Sequence, residues 1–189
     1  MDMKKVLFAT LLAVSASAAF AQSNINKGDW MVGGNASFDY QKDGDYKTTT
    51  VGISPNVGYF FINNFAGGLR AGVASSTTKF GSSKDKESAY HVSPFVRYYF
   101  LPSSQKVNIF ADGSFGFGQA KTESMGTEYK YNFTQFAITA GPAIFLTPAT
   151  ALEIGLGFNS SKIEDASDRS NSFGVNVGFQ IHLSGAAKK

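Results

Sequence analysis

The chain has 189 residues and a formal net charge of +3, enough for one domain and too evenly charged for a nucleic-acid partner. Eighteen Phe, eight Tyr and twenty Gly against 16% charged residues point to an all-β or membrane protein, not to a helical enzyme. No cysteine is present, which excludes disulfides, thiolate metal sites and an N-terminal lipid-modified cysteine.

The first element is a targeting segment. Lys4 and Lys5 precede an apolar run from Val6 to Val14, and a small-residue stretch ends in Ala19, Phe20 and Ala21 before Gln22. This is the pattern of a secretory signal with an Ala-x-Ala cleavage site, too short for a spanning helix. Residues 1–21 are therefore expected to be removed and 22–189 to form the domain. Loss of Asp2, Lys4 and Lys5 lowers the net charge to +2, and no later segment is apolar and long enough for a spanning helix.

From Trp30 onward the sequence alternates with period two. Trp30, Val32, Gly34, Ala36, Phe38 and Tyr40 make one face of a first strand, with Asn35, Ser37 and Asp39 on the other. Further apolar faces run from Val51 to Phe61, Phe65 to Val73, Tyr90 to Phe100, Val107 to Phe117, Phe136 to Leu146, Leu152 to Phe158 and Phe173 to Leu183. Eight strands are predicted. The connections at Asn63-Asn64, 101–106 and 147–150 are short, whereas 42–47, 79–88, 119–131 and 160–170 are longer and polar. That asymmetry, with an even strand number, predicts an all-β, eight-stranded antiparallel up-and-down transmembrane β-barrel with short periplasmic turns and longer extracellular loops.

No Asp, Glu, Lys or Arg falls on any of the eight apolar faces, while Asp39, Arg70, Arg97, Asp112 and Glu153 fall on the opposite ones. Those opposite faces are otherwise mainly Gly, Ser, Asn and Ala, which suits a narrow lumen. The apolar faces are thus expected to meet lipid, and slipping Leu152, Ile154, Leu156 and Phe158 by one residue would put Glu153 in hydrocarbon. Trp30, Phe61, Phe65 and Phe100 near the short turns, and Tyr40, Tyr90, Phe117 and Phe133 near the long connections, are read as two interfacial girdles. Pro55, Pro94 and Pro142 recur at matching places on descending strands and are expected to sit in bulges or bends. A parity break between Phe133 and Phe136 marks either a bulge or the start of the membrane strand.

The whole segment from residue 22 resembles the small outer-membrane barrels of the OmpA, OmpX and OmpW type. Ser54 to Val73, "SPNVGYFFINNFAGGLRAGV", looks like the version common in Bacteroidota. Asn176, Gly178, Phe179, Ile181 and Leu183 in the last strand are similar to the family's C-terminal assembly signal, although the chain continues to Lys189. The resemblance implies a bacterial outer-membrane location, recognition by the barrel-assembly machinery, and contact with outer-membrane lipid.

Candidate chemistry is sparse. His91 and His182 lie on different strands toward opposite ends and cannot share a metal or a catalytic site, so no cofactor is expected. The glycine clusters at 113–118 and 155–157 precede no helix, which removes the basis for phosphate cradling. Arg70, Arg97, Asp112 and Glu153 are expected to form one ion network, with Arg97 and Arg70 as the partners of Glu153. Phe95, Tyr99, Phe110 and Phe145 also point inward and would help to plug the lumen. The expected role is structural or surface-interactive in a monomer, with an unidentified ligand on the loops. A small channel, an outer-membrane lipid-modifying enzyme depending on His91, and a soluble lipocalin-like barrel with reversed faces are the competing readings.

Overall fold

The computed structural model describes residues 25–81, 83–124, 127–164 and 166–185; the expected cleavage site at Ala19, Ala21 and Gln22 lies outside them. Eight antiparallel strands close into one barrel in sequence order: β1 Trp30–Asp43, β2 Tyr46–Ile62, β3 Phe65–Phe80, β4 Ser83–Tyr99, β5 Val107–Ser124, β6 Thr127–Thr147, β7 Thr150–Ile163 and β8 Ser170–Leu183. Closure is made by β1 against β8, from Trp30↔Leu183 to Ala36↔Val177, so the two strand termini share one end. Among the described residues no helix is long and apolar enough to cross a membrane.

Alternation determines the faces. Along β2, Val51, Ile53, Val57 and Phe61 are exposed on the outside while Asn56, Gly58 and Phe60 are buried inside. The same parity holds in β4, where Tyr90, Val92, Val96 and Tyr98 point out and Ser93, Phe95, Arg97 and Tyr99 point in. The outward run from Val51 to Phe61 covers about 34 Å of strand, or about 24 Å of height at a tilt of roughly 45°. Such a continuous apolar exterior is far larger than water tolerates on a monomer. The side chain of Asp39 lies outside the described set.

Three expectations are corrected here. First, the long polar connections are mostly ladder. β1 and β2 stay paired to Asp43↔Tyr46, β3 and β4 to Phe80↔Ser83, and β5 and β6 to Ser124↔Thr127, and β2 pairs with β3 up to Tyr46↔Phe80, so three of the predicted loops are paired extensions of the barrel wall. Thr and Ser stabilise them by pairing side chains across strands, Thr48 with Thr78 and Thr50 with Ser76, each at 3.0 Å. A charged, glycine-dotted sequence reads as loop, yet nothing in it prevents pairing once the membrane strands hold the ends together. Only 164–169 remains a longer connection at that end.

Second, the prolines make no bulge. The β2–β3 register is the same on both sides of Pro55, at Ile53↔Val73 and at Asn56↔Arg70, and only the two intervening pairs are missing. Pro94 and Pro142 interrupt β4–β5 and β6–β7 in the same way, while each proline stays paired with the preceding strand, to Gly34, Leu69 and Ile109 respectively. The missing donor therefore costs one local gap without shifting a strand. The register shifts that exist lie beside tight turns, at Phe60/Ile62 and Phe145/Thr147.

Third, of the two readings of the parity break between Phe133 and Phe136, the bulge is excluded. The β5–β6 ladder runs without a shift through Gly118↔Phe133 and Phe115↔Phe136, and Phe133 lies over Gly118 on the inner face. It is a lumen residue, not part of an outer girdle.

Candidate functional site

The interior of the barrel differs between its two halves. Toward the end that carries the termini it is dense: Met31, Phe60, Ala66, Tyr99, Phe145 and Ala151 are buried to 1% exposure or less. Ile25, also fully buried, is carried there by the segment that precedes β1. Its carbonyl accepts a hydrogen bond from Asn64 N at 2.8 Å, and Gly28 N donates to Phe60 O at 2.9 Å. Asp29 fastens both ends of the chain, accepting from Asn26 N at 2.9 Å and from Gly185 N at 3.0 Å. This fold-back of the N-terminal segment carries no periodic signal and was not foreseen.

Above that layer lie the charges. Arg97, on β4, is 2% exposed and is held from two sides. Its Nη1 donates to both oxygens of Glu153 at 2.8 Å, and its Nε donates to Asp112 Oδ2 at 3.1 Å. Arg70 reaches Asp112 through Nη2 at 3.0 and 3.1 Å. The four charges thus form one neutral chain in the order Arg70, Asp112, Arg97, Glu153. Arg70 pairs with Asp112 and not with Glu153 as expected, because Asp112 on β5 stands directly opposite Arg97 and lies between the two arginines.

Aromatic rings complete the layer. Arg70 lies over Phe95 at 4.9 Å and Arg97 over Phe110 at 4.8 Å, so the guanidinium faces that carry no hydrogen bond meet ring faces. Tyr99 donates its hydroxyl proton to Glu153 Oε1 at 2.9 Å and stands 3.2 Å from His182 Nε2, while its ring packs near Phe60 and Phe145. Tyr99 and His182 are members that sequence reasoning left out of the network. The available signal was inward parity: Tyr99 lies two residues beyond Arg97 on one strand face, and His182 two beyond Gln180.

Beyond Arg70 and Phe95 the lumen opens into a polar hollow of about 260 Å³. Asn35, Ser54, His91, Ser114, Gln135 and Asn176 are among its walls, and Ser93, 1% exposed, is part of its floor. His91 and Ser93 share this wall, and among the described residues no carboxylate lines it. His182 lies in the opposite, dense half of the lumen. Among the described residues no group of three or more His, Asp or Glu is placed to hold a metal.

Of the expected interfacial aromatics, Trp30, Tyr40, Phe61, Tyr90, Phe100 and Phe117 are exposed on the outer face and Phe65 is half-buried there, whereas Phe133 faces the lumen. Tyr59 and Tyr98 join the terminal-end set through edge contacts with Trp30, Phe61 and Phe100. In β8, Phe179, Ile181 and Leu183 point outward, whereas Asn176 lines the polar hollow.

Compared with protein families, residues 7–180 match the outer membrane protein beta-barrel domain. The chain belongs to that family. Its eight-stranded closed sheet and apolar exterior are those of an outer-membrane barrel, with β-strands as the membrane-crossing elements. Among solved structures, Neisserial surface protein A superposes with a TM-score of 0.56 at 16% identity, over 82% of this chain and 97% of that one. Ail of Yersinia pestis gives 0.47 at 19% identity over 83% and 99%, and OprG from Pseudomonas aeruginosa gives 0.48 at 12% over 86% and 99%. At these identities the first likeness speaks for the fold alone. A search of curated proteins returned no match.

Proposed function

We propose that this protein is a monomeric outer-membrane barrel with a closed lumen, exported through cleavage after Ala21, which has no catalytic role and serves the envelope structurally or through its exposed hairpins. The observation that carries the closed lumen is the layer made by Arg97, Glu153, Tyr99 and Asp112, each fully or almost fully buried between the strands. An eight-stranded barrel leaves an interior that side chains can fill, and here a neutral ion chain and four aromatic rings fill it. The short turns and both termini would face the periplasm and the long hairpins the exterior, as in barrels of this kind. Assembly through the last strand belongs to the same reading: Phe179, Ile181 and Leu183 offer the spaced outward apolar side chains.

Support for the non-catalytic reading comes from the hollow, where among the described residues no carboxylate lies beside His91 and Ser93 to orient them for nucleophilic work. The test is planar-bilayer recording of the refolded barrel. A closed lumen gives no discrete conductance steps. Steps of uniform size that change in Arg97→Ala or Glu153→Ala would instead establish the channel reading.

A further inference from the structure

The long hairpins carry an arrangement that the barrel itself does not need. Lys42 stands directly opposite Lys47, Lys47 opposite Lys79, and Lys79 opposite Lys84, which makes one row of four lysines across β1 to β4. All four are exposed and share the outward parity of Tyr40, Val51, Val73 and Tyr90 below them. None belongs to an ion pair among the described residues. Among the described residues Asp45 is the one acid in the hollow that Lys42, Lys47 and Lys79 line, and Asp85 lies on the inner face opposite Thr78.

Neighbouring strands are about 4.8 Å apart, so the row places four positive charges within roughly 14 Å. Like charges directly opposite each other destabilise a ladder. The arrangement calls for a partner with several negative charges.

Below the row, on the same outer face, lies a groove of about 520 Å³ walled by Val51, Ile53, Val73 and Tyr90. Its floor is Ser75, which pairs with both Val51 and Ser88, and Lys121 stands at its edge. From Ser75 to Lys79 is four residues of β3, about 13 Å of strand. An apolar trench in the lipid-facing wall therefore leads upward to a bank of cations.

We propose that this outer face of β1 to β4 binds one anionic lipid of the outer leaflet, with an acyl chain along the groove over Ser75 and a multiply phosphorylated headgroup on Lys42, Lys47, Lys79 and Lys84. Charge complementarity selects the headgroup, and continuity with the acyl layer selects a lipid over a soluble polyanion. The proposal rests on the membrane orientation given above. Failure of that orientation would show separately, as long hairpins that a protease added to intact cells cannot reach.

Native mass spectrometry of the detergent-folded protein tests it, with bis-phosphorylated lipid A, phosphatidylglycerol, phosphatidylcholine and the deacylated bis-phosphorylated disaccharide as probes. The wild type retains one lipid A, less phosphatidylglycerol and no phosphatidylcholine. Each lysine near an anionic surface contributes roughly fivefold in affinity, so replacing all four by Gln lowers lipid A binding at least tenfold, and replacing all four by Arg preserves it. Ser75→Phe, which fills the groove, weakens lipid A and leaves folding unchanged. Unaltered lipid A binding by the Gln variant, or equal retention of phosphatidylcholine, overturns the proposal. Binding of the deacylated disaccharide as tightly as lipid A overturns it too, in favour of a soluble polyanion.

Discussion

Replacing Glu153 by leucine removes the acceptor of two 2.8 Å hydrogen bonds from Arg97 and one from Tyr99 at 2.9 Å, in a place where both partners are 2% exposed or less. Arg97 keeps its 3.1 Å bond to Asp112, but Asp112 is already shared with Arg70, so two cations face one anion. Breaking a buried pair by removing one partner costs about 3 to 5 kcal/mol, and that is the expected loss for Glu153→Leu. Arg97→Met leaves Glu153 with Tyr99 alone and should lose a similar amount. The double variant Arg97→Met/Glu153→Leu restores neutrality around the remaining Arg70 and Asp112 pair. Because apolar replacement of a whole buried pair is often neutral or better, the double variant should be more stable than either single one. Urea unfolding in detergent reads this cleanly, since Trp30 is the sole tryptophan and sits on the outward face at the terminal end. Additive losses in the double variant, or a Glu153→Leu protein as stable as the wild type, would refute the coupled network.

Further expectations concern the wall and the hairpins. A Cβ on Gly68 would meet the carbonyl oxygen of Val57 at 2.0 Å and the Cα of Gly58 at 2.6 Å, whereas one on Gly113 meets nothing within 4 Å. Gly68→Ala should therefore cost on the order of 1 to 3 kcal/mol as overpacking, with Gly113→Ala within about 0.5 kcal/mol of wild type, by the same urea titration. Pro94→Ala should leave the fold intact and change stability by less than about 1 kcal/mol, because the ladder keeps its register across the proline; a shifted β4–β5 register in backbone NMR would contradict this. At the hairpin end, Lys121 donates to Glu128 and holds its carboxyl below the ordinary carboxylate range. That contact's contribution is present above the ordinary range and is lost as pH falls through the lowered value. Lys121→Gln should move the NMR titration of Glu128 to higher pH, and an unmoved titration would contradict the assignment.

Much of this architecture is legible because one physical rule governs it. Strand parity puts Glu153 inside as soon as Leu152 and Ile154 are put outside, and the same reasoning sends Arg70, Arg97 and Asp112 to one lumen. What parity cannot say is which anion each arginine meets. That depends on register and height: Asp112 lies directly across from Arg97, which places it within reach of Arg70 as well. The hairpin extensions were hidden for a different reason. Their Thr, Ser and Lys are compatible with either loop or ladder, and only long-range pairing such as Thr48 with Thr78 decides between them. The prolines leave a choice open in the sequence because a missing donor is compatible with a bulge and with a simple gap, and the difference lies in the neighbouring strand. Ile25 is a single apolar residue before the first periodic run, and its burial depends on a backbone path that Asn64 and Asp29 define.

The closed lumen is the central claim, and the chain has no cysteine to complicate its most direct test. Single cysteines placed at Ser54, which lines the polar hollow, and at Ala151, buried in the dense half, can be probed in oriented vesicles with a small membrane-impermeant thiol reagent. Ser54→Cys should be modified only from the side of the long hairpins, and Ala151→Cys should be protected from that side. Modification of Ser54→Cys from both sides would show a continuous aqueous path past Arg97 and Glu153, and the closed barrel would have to be given up.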